Sequence, residues 1–402
     1  MKRRNTLILL ALLPLLPSLL FAQKKVLLGI DVLEAQGFES LKGKQVGLIT
    51  NQTGVDSEGR STADVLARAP GVKLIALFSP EHGIRGRIAH GQEVETIIDQ
   101  KTHLPVYSLY GATQRPTPEM LNAIDVLVFD MQDVGVRFYT YITTMGMAME
   151  EASRRGIPFM VLDRPDPLGG TVVEGMVLDP RIRHFTAYYS IPVRYGFTAG
   201  ELAQWYNDTA RLNAQVKVVQ MINWKRPYFW EDTRLDFVGP SPNIQTPAQA
   251  LLDAGIGMFE AANVSVGRGT DRPFFQFGAP WIDGQRLARL LQKARLPGVR
   301  FEPAEFVPES DLYAAQRCEG VRMKVLDREQ IRPVDIFVTA ACILRDLYPK
   351  EFVLRWDEIA RVTGNYDFEH LFRINRPAID MINIFHKSAQ DFVKQREKYL
   401  MY

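Results

Sequence analysis

The chain is 402 residues long, 46% hydrophobic and 23% charged, with a formal net charge of +2. That length exceeds one ordinary core, so two domains are expected, and the composition excludes a disordered or low-complexity chain. The small net charge and the scattered arginines argue against nucleic acid or an anionic membrane as partner.

The N-terminus reads as a targeting signal. Lys2, Arg3 and Arg4 form a positive segment, and Leu7 to Phe21 is an apolar run interrupted by Pro14 and Pro17. The run is short for a spanning helix, so residues 1–22 are expected to be a signal peptide cleaved near Ala22. No cysteine stands nearby for lipid attachment. The mature protein is therefore expected in the periplasm, with no membrane anchor after cleavage.

From Lys25 to about Val219, apolar runs alternate with helical stretches. Gln45 to Thr50 is a strand ending in the turn cluster Asn51-Gln52-Thr53-Gly54, and Ser61 to Ala69 is a helix. Val72 to Phe78 is a buried strand that breaks into Ser79-Pro80-Glu81-His82-Gly83-Ile84-Arg85-Gly86. Pro105 to Leu109 is a short strand, and Pro118 to Ala123 begins a helix. Val126 to Phe129 runs into Asp130-Met131-Gln132-Asp133. Tyr141 to Arg155 is helical, Pro158 to Leu162 is a strand running into Asp163-Arg164, and Val216 to Met221 is a further strand. Continuous apolar strands separated by helices imply a parallel sheet covered on both faces. Right-handed crossovers then put the strand C-termini on one edge, where such sheets bind ligands. Asn51, Glu81, Asp130, Asp133, Asp163 and Arg164 should gather there.

Between Trp224 and Pro280, proline, glycine and aromatics predict long ordered loops, and loops of this length are usually functional. Beyond them, Asp283 to Lys293 is an amphipathic helix with Asp283 as N-cap. Val299 to Phe306 and Glu319 to Leu326 are strands. Val334 to Leu347 is helical, and Ile379 to Lys398 forms one or two helices. The expected fold class is α/β: a Rossmann-like, mostly parallel sheet domain over 25–245, then a smaller α+β domain over 246–402, with a cleft between them. Cys318 and Cys342 could form one disulfide, but a chain this long needs no staple, which favours two buried thiols.

No G-x-G-x-x-G follows the first strand and no Walker A sequence occurs, so a nicotinamide or ATP role has no support and no cofactor is expected. No C-x-x-C or His-x-x-x-His pattern is present, and Glu81, His82, Asp130 and Asp133 lack a diagnostic metal spacing. No metal is expected. Without a G-x-S-x-G elbow, Ser79 is a poor nucleophile.

Carboxylates remain. Glu81 sits in a loop at a strand end, and Glu174 is a lone acid in Val172-Val173-Glu174-Gly175-Met176, a setting that raises a carboxyl pKa. Paired carboxylates in unlike surroundings are what glycoside hydrolysis needs. The bland reading for Asp130, Asp133 and Asp163 is helix capping or pairing with Arg137 and Arg164. His82 stands between a second acid/base and a packing residue. Arg85, Arg137, Arg164, Arg194, Arg268 and Arg272 lie in predicted loops and suit a carboxylate-bearing ligand. Tyr139 and Trp230 offer flat faces for a sugar, whereas Tyr141, Phe274 and Phe275 read as core.

Several long motifs occur together: Gly47–Asp56 (GLITNQTGVD), Leu77–Gly86 (LFSPEHGIRG), Asp130–Met145 (DMQDVGVRFYTYITTM), Leu162–Gly170 (LDRPDPLGG), Val173–Gly175, Gly239–Pro247 (GPSPNIQTP, with Asn243) and Gly267–Trp281 (GRGTDRPFFQFGAPW). In these the chain resembles the exo-β-N-acetylmuramidases, glycoside hydrolase family 171. The resemblance implies a Rossmann-like domain, a smaller C-terminal domain and a cleft. It implies release of terminal N-acetylmuramic acid from the non-reducing end of peptidoglycan fragments, in cell-wall turnover and recycling. It also implies Glu81 as principal catalytic residue and Glu174 as its partner. Asn51, His82, Arg85, Asp130, Asp133, Arg137, Asp163, Arg164, Arg194, Asn243, Arg268 and Arg272 would then bind substrate. This chain reads Arg194-Tyr195-Gly196 where relatives carry arginine-histidine-glycine. The rival expectation is a periplasmic muropeptide-binding protein without catalysis.

Overall fold

The structure, a computed structural model, describes residues 24–81, 83–85 and 97–402. The signal segment over residues 1–22 and His82 lie outside the described residues. In chain order the first part contains α1 (Gly29–Ala35), β1 (Gln45–Thr50), α2 (Thr62–Arg68), β2 (Lys73–Ser79), β3 (Ile97–Ile98), β4 (Pro105–Ser108), β5 (Val126–Asp130), α3 (Thr140–Arg154), β6 (Phe159–Leu162), α4 (Ala199–Thr209) and β7 (Val216–Val219).

The strands form one sheet in the order β3-β4-β2-β1-β5-β6-β7. Every pairing is parallel except β3 with β4, where Ile97 faces Val106. Numbering the parallel strands alone gives 3-2-1-4-5-6, the Rossmann order, which reverses direction between β1 and β5. Alternate residues serve the two faces. Val46, Leu48, Val126 and Val128 pack with α1 and α2, while Ile49, Leu127, Phe129 and Phe159 pack with α3 and α4. Burial on both faces is why these strands read as unbroken apolar runs. α4 starts at a capping box: Thr198 Oγ1 accepts from the Glu201 amide (3.2 Å), and Glu201 accepts from the Thr198 amide (3.0 Å).

The second part contains α5 (Pro247–Ile256), β8 (Gln276–Ala279), α6 (Gly284–Lys293), β9 (Val299–Phe306), β10 (Cys318–Val325), α7 (Pro333–Leu347), α8 (Trp356–Thr363), α9 (Asp367–Arg373) and α10 (Ala378–Arg396). Its sheet is antiparallel, in the order β8-β10-β9. Asp283 caps α6, accepting from the Arg286 amide at 2.8 Å. α5 and α7 meet at Gly255, where a Cβ would lie 1.9 Å from the Pro333 carbonyl oxygen. Cys318 and Cys342 are both buried free thiols.

Two sequence expectations differ from what is observed. Residues 118–123 form turns rather than a helix, because Ala123 takes a left-handed φ of 67°. The stretch between Trp224 and Pro280, expected as loops, contains α5 and β8. Thr246 accepts from the Gln249 amide (3.2 Å) and Pro247 fills the first turn, a start signal that the surrounding glycines and prolines obscured.

The chain end returns to the first sheet. Phe392 of α10 packs edge-on to Phe197 with ring centroids 5.7 Å apart. Arg396 donates to the carbonyls of Tyr195, Gly196 and Gly170. Tyr402 then donates its hydroxyl to Asp163 Oδ2 at 2.6 Å.

Candidate active site

Glu81 is the first residue beyond the β2–proline junction and is buried. Its carboxylate accepts from Thr140 Oγ1 at 2.8 Å, in the first turn of α3. Tyr110 hydrogen-bonds the same carboxylate, and its hydroxyl is pushed up by burial and by the Glu81 charge. Tyr139 and Tyr141 stand close by, with ring centroids 4.9 Å apart.

Glu81 opens into a cavity of about 330 Å³ between the two parts of the chain. The first part contributes Phe138, Tyr139 and Thr140 from the start of α3, together with His184 and Thr186. The opposite wall is Asp253 and Gly257 at the end of α5, Glu260, Arg268, and Glu358, Arg361 and Val362 of α8. Ser241 and Ile244 close the remaining side. Arg268 forms an ion pair with Glu260 and lies 5.3 Å over the Phe274 ring. Glu358 is drawn to Arg355 at 2.7 Å. Asp253 is buried and sits within the electrostatic reach of Arg268.

Of the site residues predicted from sequence, Glu81 and Arg268 line this cavity among the described residues. Asn243 is half-buried between Ser241 and Ile244, which do line it. The others are engaged elsewhere. Glu174, expected as the catalytic partner, is buried in an ion pair with Arg194 (2.9 Å) and accepts from the Val334 amide, away from the cavity. Asp130 receives Arg164 on both oxygens (2.5 and 2.9 Å) and also Thr62. Asn51 folds its own turn, accepting from the amide and hydroxyl of Thr53. Asp163 accepts from Thr198, Gly200 and Tyr402, with burial holding its carboxyl up at about 6. Arg85 is half-exposed and pairs with Asp99 (2.6 Å), and Arg272 is exposed beside Asp271.

Arg137, expected to bind substrate, is a buried clamp. It donates to the carbonyls of Met176 and Ile191 (2.9 Å each), and to those of Arg361 (3.1 Å) and Val362 (2.7 Å). Burial pushes its guanidinium down to about 9, which leaves it charged at neutral pH. The negative end of α8 takes the place of a carboxylate partner.

Asp133 is held by the Gly135 amide (2.7 Å) and by the Tyr195 hydroxyl. Burial raises its carboxyl to about 6, and raises neighbouring Asp166 to about 7. Tyr195 is itself buried and does not line the cavity. Tyr195 therefore bonds to Asp133 inside the protein.

The strand-end groups fail to converge on one ligand because a loop closes over the point where the strand order reverses. Gln52 Nε2 donates to the carbonyls of Gly239 and Pro240 (3.0 Å each), and Tyr141 donates to Pro240 as well (2.5 Å). The opening is displaced toward β2 and the N-terminus of α3. Asp253, which lines the cavity, is a lone acid in the apolar run Ala250–Gly257, the same pattern that marks Glu174. His184, Glu260 and Arg361 carry no comparable mark in the sequence.

A cavity between an α/β sheet domain and a smaller domain, with Glu81 and Asp253 in its lining, has the carboxylate chemistry that a glycoside hydrolase uses. Family models described as the N-terminal and C-terminal parts of the exo-β-N-acetylmuramidase NamZ match residues 46–248 and 251–402. The chain belongs to the exo-β-N-acetylmuramidase family. It is 45% identical over 379 residues to the peptidoglycan β-N-acetylmuramidase NamZ of Bacillus subtilis (strain 168), covering 94% of this chain and 92% of that protein. Two DUF1343-family crystal structures from Bacteroides fragilis NCTC 9343 share the fold, each covering 94% of this chain and 99% of its own. One has a TM-score of 0.88 at 38% identity, the other 0.76 at 26%.

Proposed function

We propose that this glycoside hydrolase removes terminal N-acetylmuramic acid from the non-reducing end of peptidoglycan fragments, in cell-wall turnover and recycling. The observation that carries the reading is the Glu81 carboxylate, held by Thr140 at 2.8 Å at the wall of a cavity of about 330 Å³. That volume suits one N-acetylated hexose and so an exo mode. Glu81 serves as general acid, donating a proton to the departing glycosidic oxygen. Asp253 replaces Glu174 as the second carboxylate, because it shares the cavity with Glu81 whereas Glu174 is spent on Arg194. Its negative charge stabilises the positive charge that develops at the anomeric carbon, to which a water oxygen adds as the glycosidic bond breaks, the water's proton passing to a carboxylate of the site. Arg268 and Arg361, set among Asp253, Glu260 and Glu358, are the arginines of the cavity wall and its candidates for the lactyl carboxylate of muramic acid.

The test is product analysis. Incubation with a defined glycan ending in N-acetylmuramic acid should release that sugar alone, and a matched glycan ending in N-acetylglucosamine should stay intact. Internal cleavage, or release from both, would overturn the reading. We also propose that residues 1–22 direct export to the periplasm, supported by the positive segment Lys2–Arg4 ahead of the apolar run. N-terminal sequencing of the exported protein should then begin at or near Gln23, and a chain starting at Met1 would refute it.

A further inference from the structure

A second cavity, of about 690 Å³, adjoins the catalytic one, and His184 lines both. The second cavity runs along α3 toward the end of α4. Its floor is aromatic. Tyr188 and Tyr206 are half-buried, with ring centroids 5.7 Å apart. Both donate to Glu150, which Arg115 holds from the other side at 2.7 Å. These hydroxyls and rings are therefore fixed in place before any ligand arrives, which lowers the entropic cost of binding. Arg183 stands exposed at the rim.

The partition between the cavities is the turn containing His184, Phe185 and Thr186. It is anchored to α3 by Thr143, which donates to the Phe185 carbonyl at 2.8 Å. Phe185 also packs against Tyr110, the residue bonded to Glu81. The aromatic groove is thus separated from the Glu81 carboxylate by Phe185 and Tyr110, and it meets the cavity of Glu81 at His184. Partial desolvation and Arg361 shift the exposed imidazole at the junction toward its neutral form, against the pull of Glu358.

Resting on the exo-muramidase reading above, we infer that this groove binds the leaving part of the substrate, the saccharide units on the reducing-end side of the scissile bond. The catalytic cavity has room for one sugar, so the remaining glycan must leave through its mouth. The adjoining groove is about twice as large, enough for a disaccharide. Rigid aromatic faces suit the apolar faces of pyranose rings. A muramic acid two positions from the cleavage point carries a carboxylate, which matches Arg183 at the rim.

The test uses binding and kinetics together. By calorimetry, the disaccharide N-acetylglucosaminyl-N-acetylmuramic acid should bind the full protein. Arg183→Ala should weaken it about 3- to 10-fold, the scale of one exposed charge-assisted contact. The same variant should raise KM for a MurNAc-terminated tetrasaccharide by a similar factor. It should leave hydrolysis of a chromogenic N-acetylmuramide, whose aglycone cannot reach the rim, at the wild-type rate. Absence of disaccharide binding, or an unchanged dissociation constant in the variant, would overturn the proposal. An equal loss on both substrates would do so too, since it would mark a structural role. Because the binding arm needs no turnover, a failure of the hydrolytic reading shows separately, as an inert wild-type enzyme.

Discussion

Glu81→Gln should lower turnover of a chromogenic N-acetylmuramide by about 10²- to 10⁴-fold, the range that a positioned general acid contributes. The substitution preserves size and keeps an oxygen that can accept from Thr140, whose bond to Glu81 is 2.8 Å long. It removes the proton that the leaving oxygen needs. Melting temperature should therefore stay near wild type while kcat falls and KM changes little. Asp253→Asn makes the informative comparison, because it alters the opposite wall without touching the proton donor. Near-normal turnover in Glu81→Gln would remove Glu81 from the role, whatever the stability result.

Arg137→Met should destabilise the fold by about 3–5 kcal/mol, the cost typical of stripping one partner from a buried charged network. The variant takes the guanidinium away from four carbonyl oxygens, those of Met176, Ile191, Arg361 and Val362, of which Ile191 keeps the Leu178 amide at 3.1 Å. Two of these close the end of α8, and that helix supplies Glu358, Arg361 and Val362 to the catalytic cavity. The loss should thus appear twice, as a lower urea midpoint and as a raised KM. Gly364 shows how tightly the clamp is built. Its φ is +93° and a Cβ there would lie 2.8 Å from an Arg137 nitrogen. A fall in stability below about 1 kcal/mol would mean that water replaces the guanidinium at little cost.

The sheet was legible because its physics is local. Runs such as Val126–Phe129 and Phe159–Leu162 are buried on both faces, and only parallel strands under two helical layers are continuously apolar. The cap of α6 at Asp283 was readable for the same reason, since donor and acceptor lie three residues apart. The site was legible at one point, Glu81, where a strand runs into proline, acid and glycine.

The rest depended on partners far apart in the chain. Asp130 and Arg164 are 34 residues apart, and Glu174 and Arg194 are 20 apart. Nothing in their local patterns shows that each pair satisfies itself inside the protein rather than binding a ligand. Spacing showed that strand ends share an edge, but not that Gly239 and Pro240 cover it through Gln52. By itself the sequence determined the layered α/β architecture and the family, and it singled out Glu81 as a candidate, because hydrophobic period and contiguous motifs are properties of the chain. Only the tertiary structure shows that Asp253 lines the same cavity as Glu81, and that Arg137, Arg164 and Arg194 are bound to partners inside the protein. Those outcomes turn on burial and pairing between segments that only folding brings together.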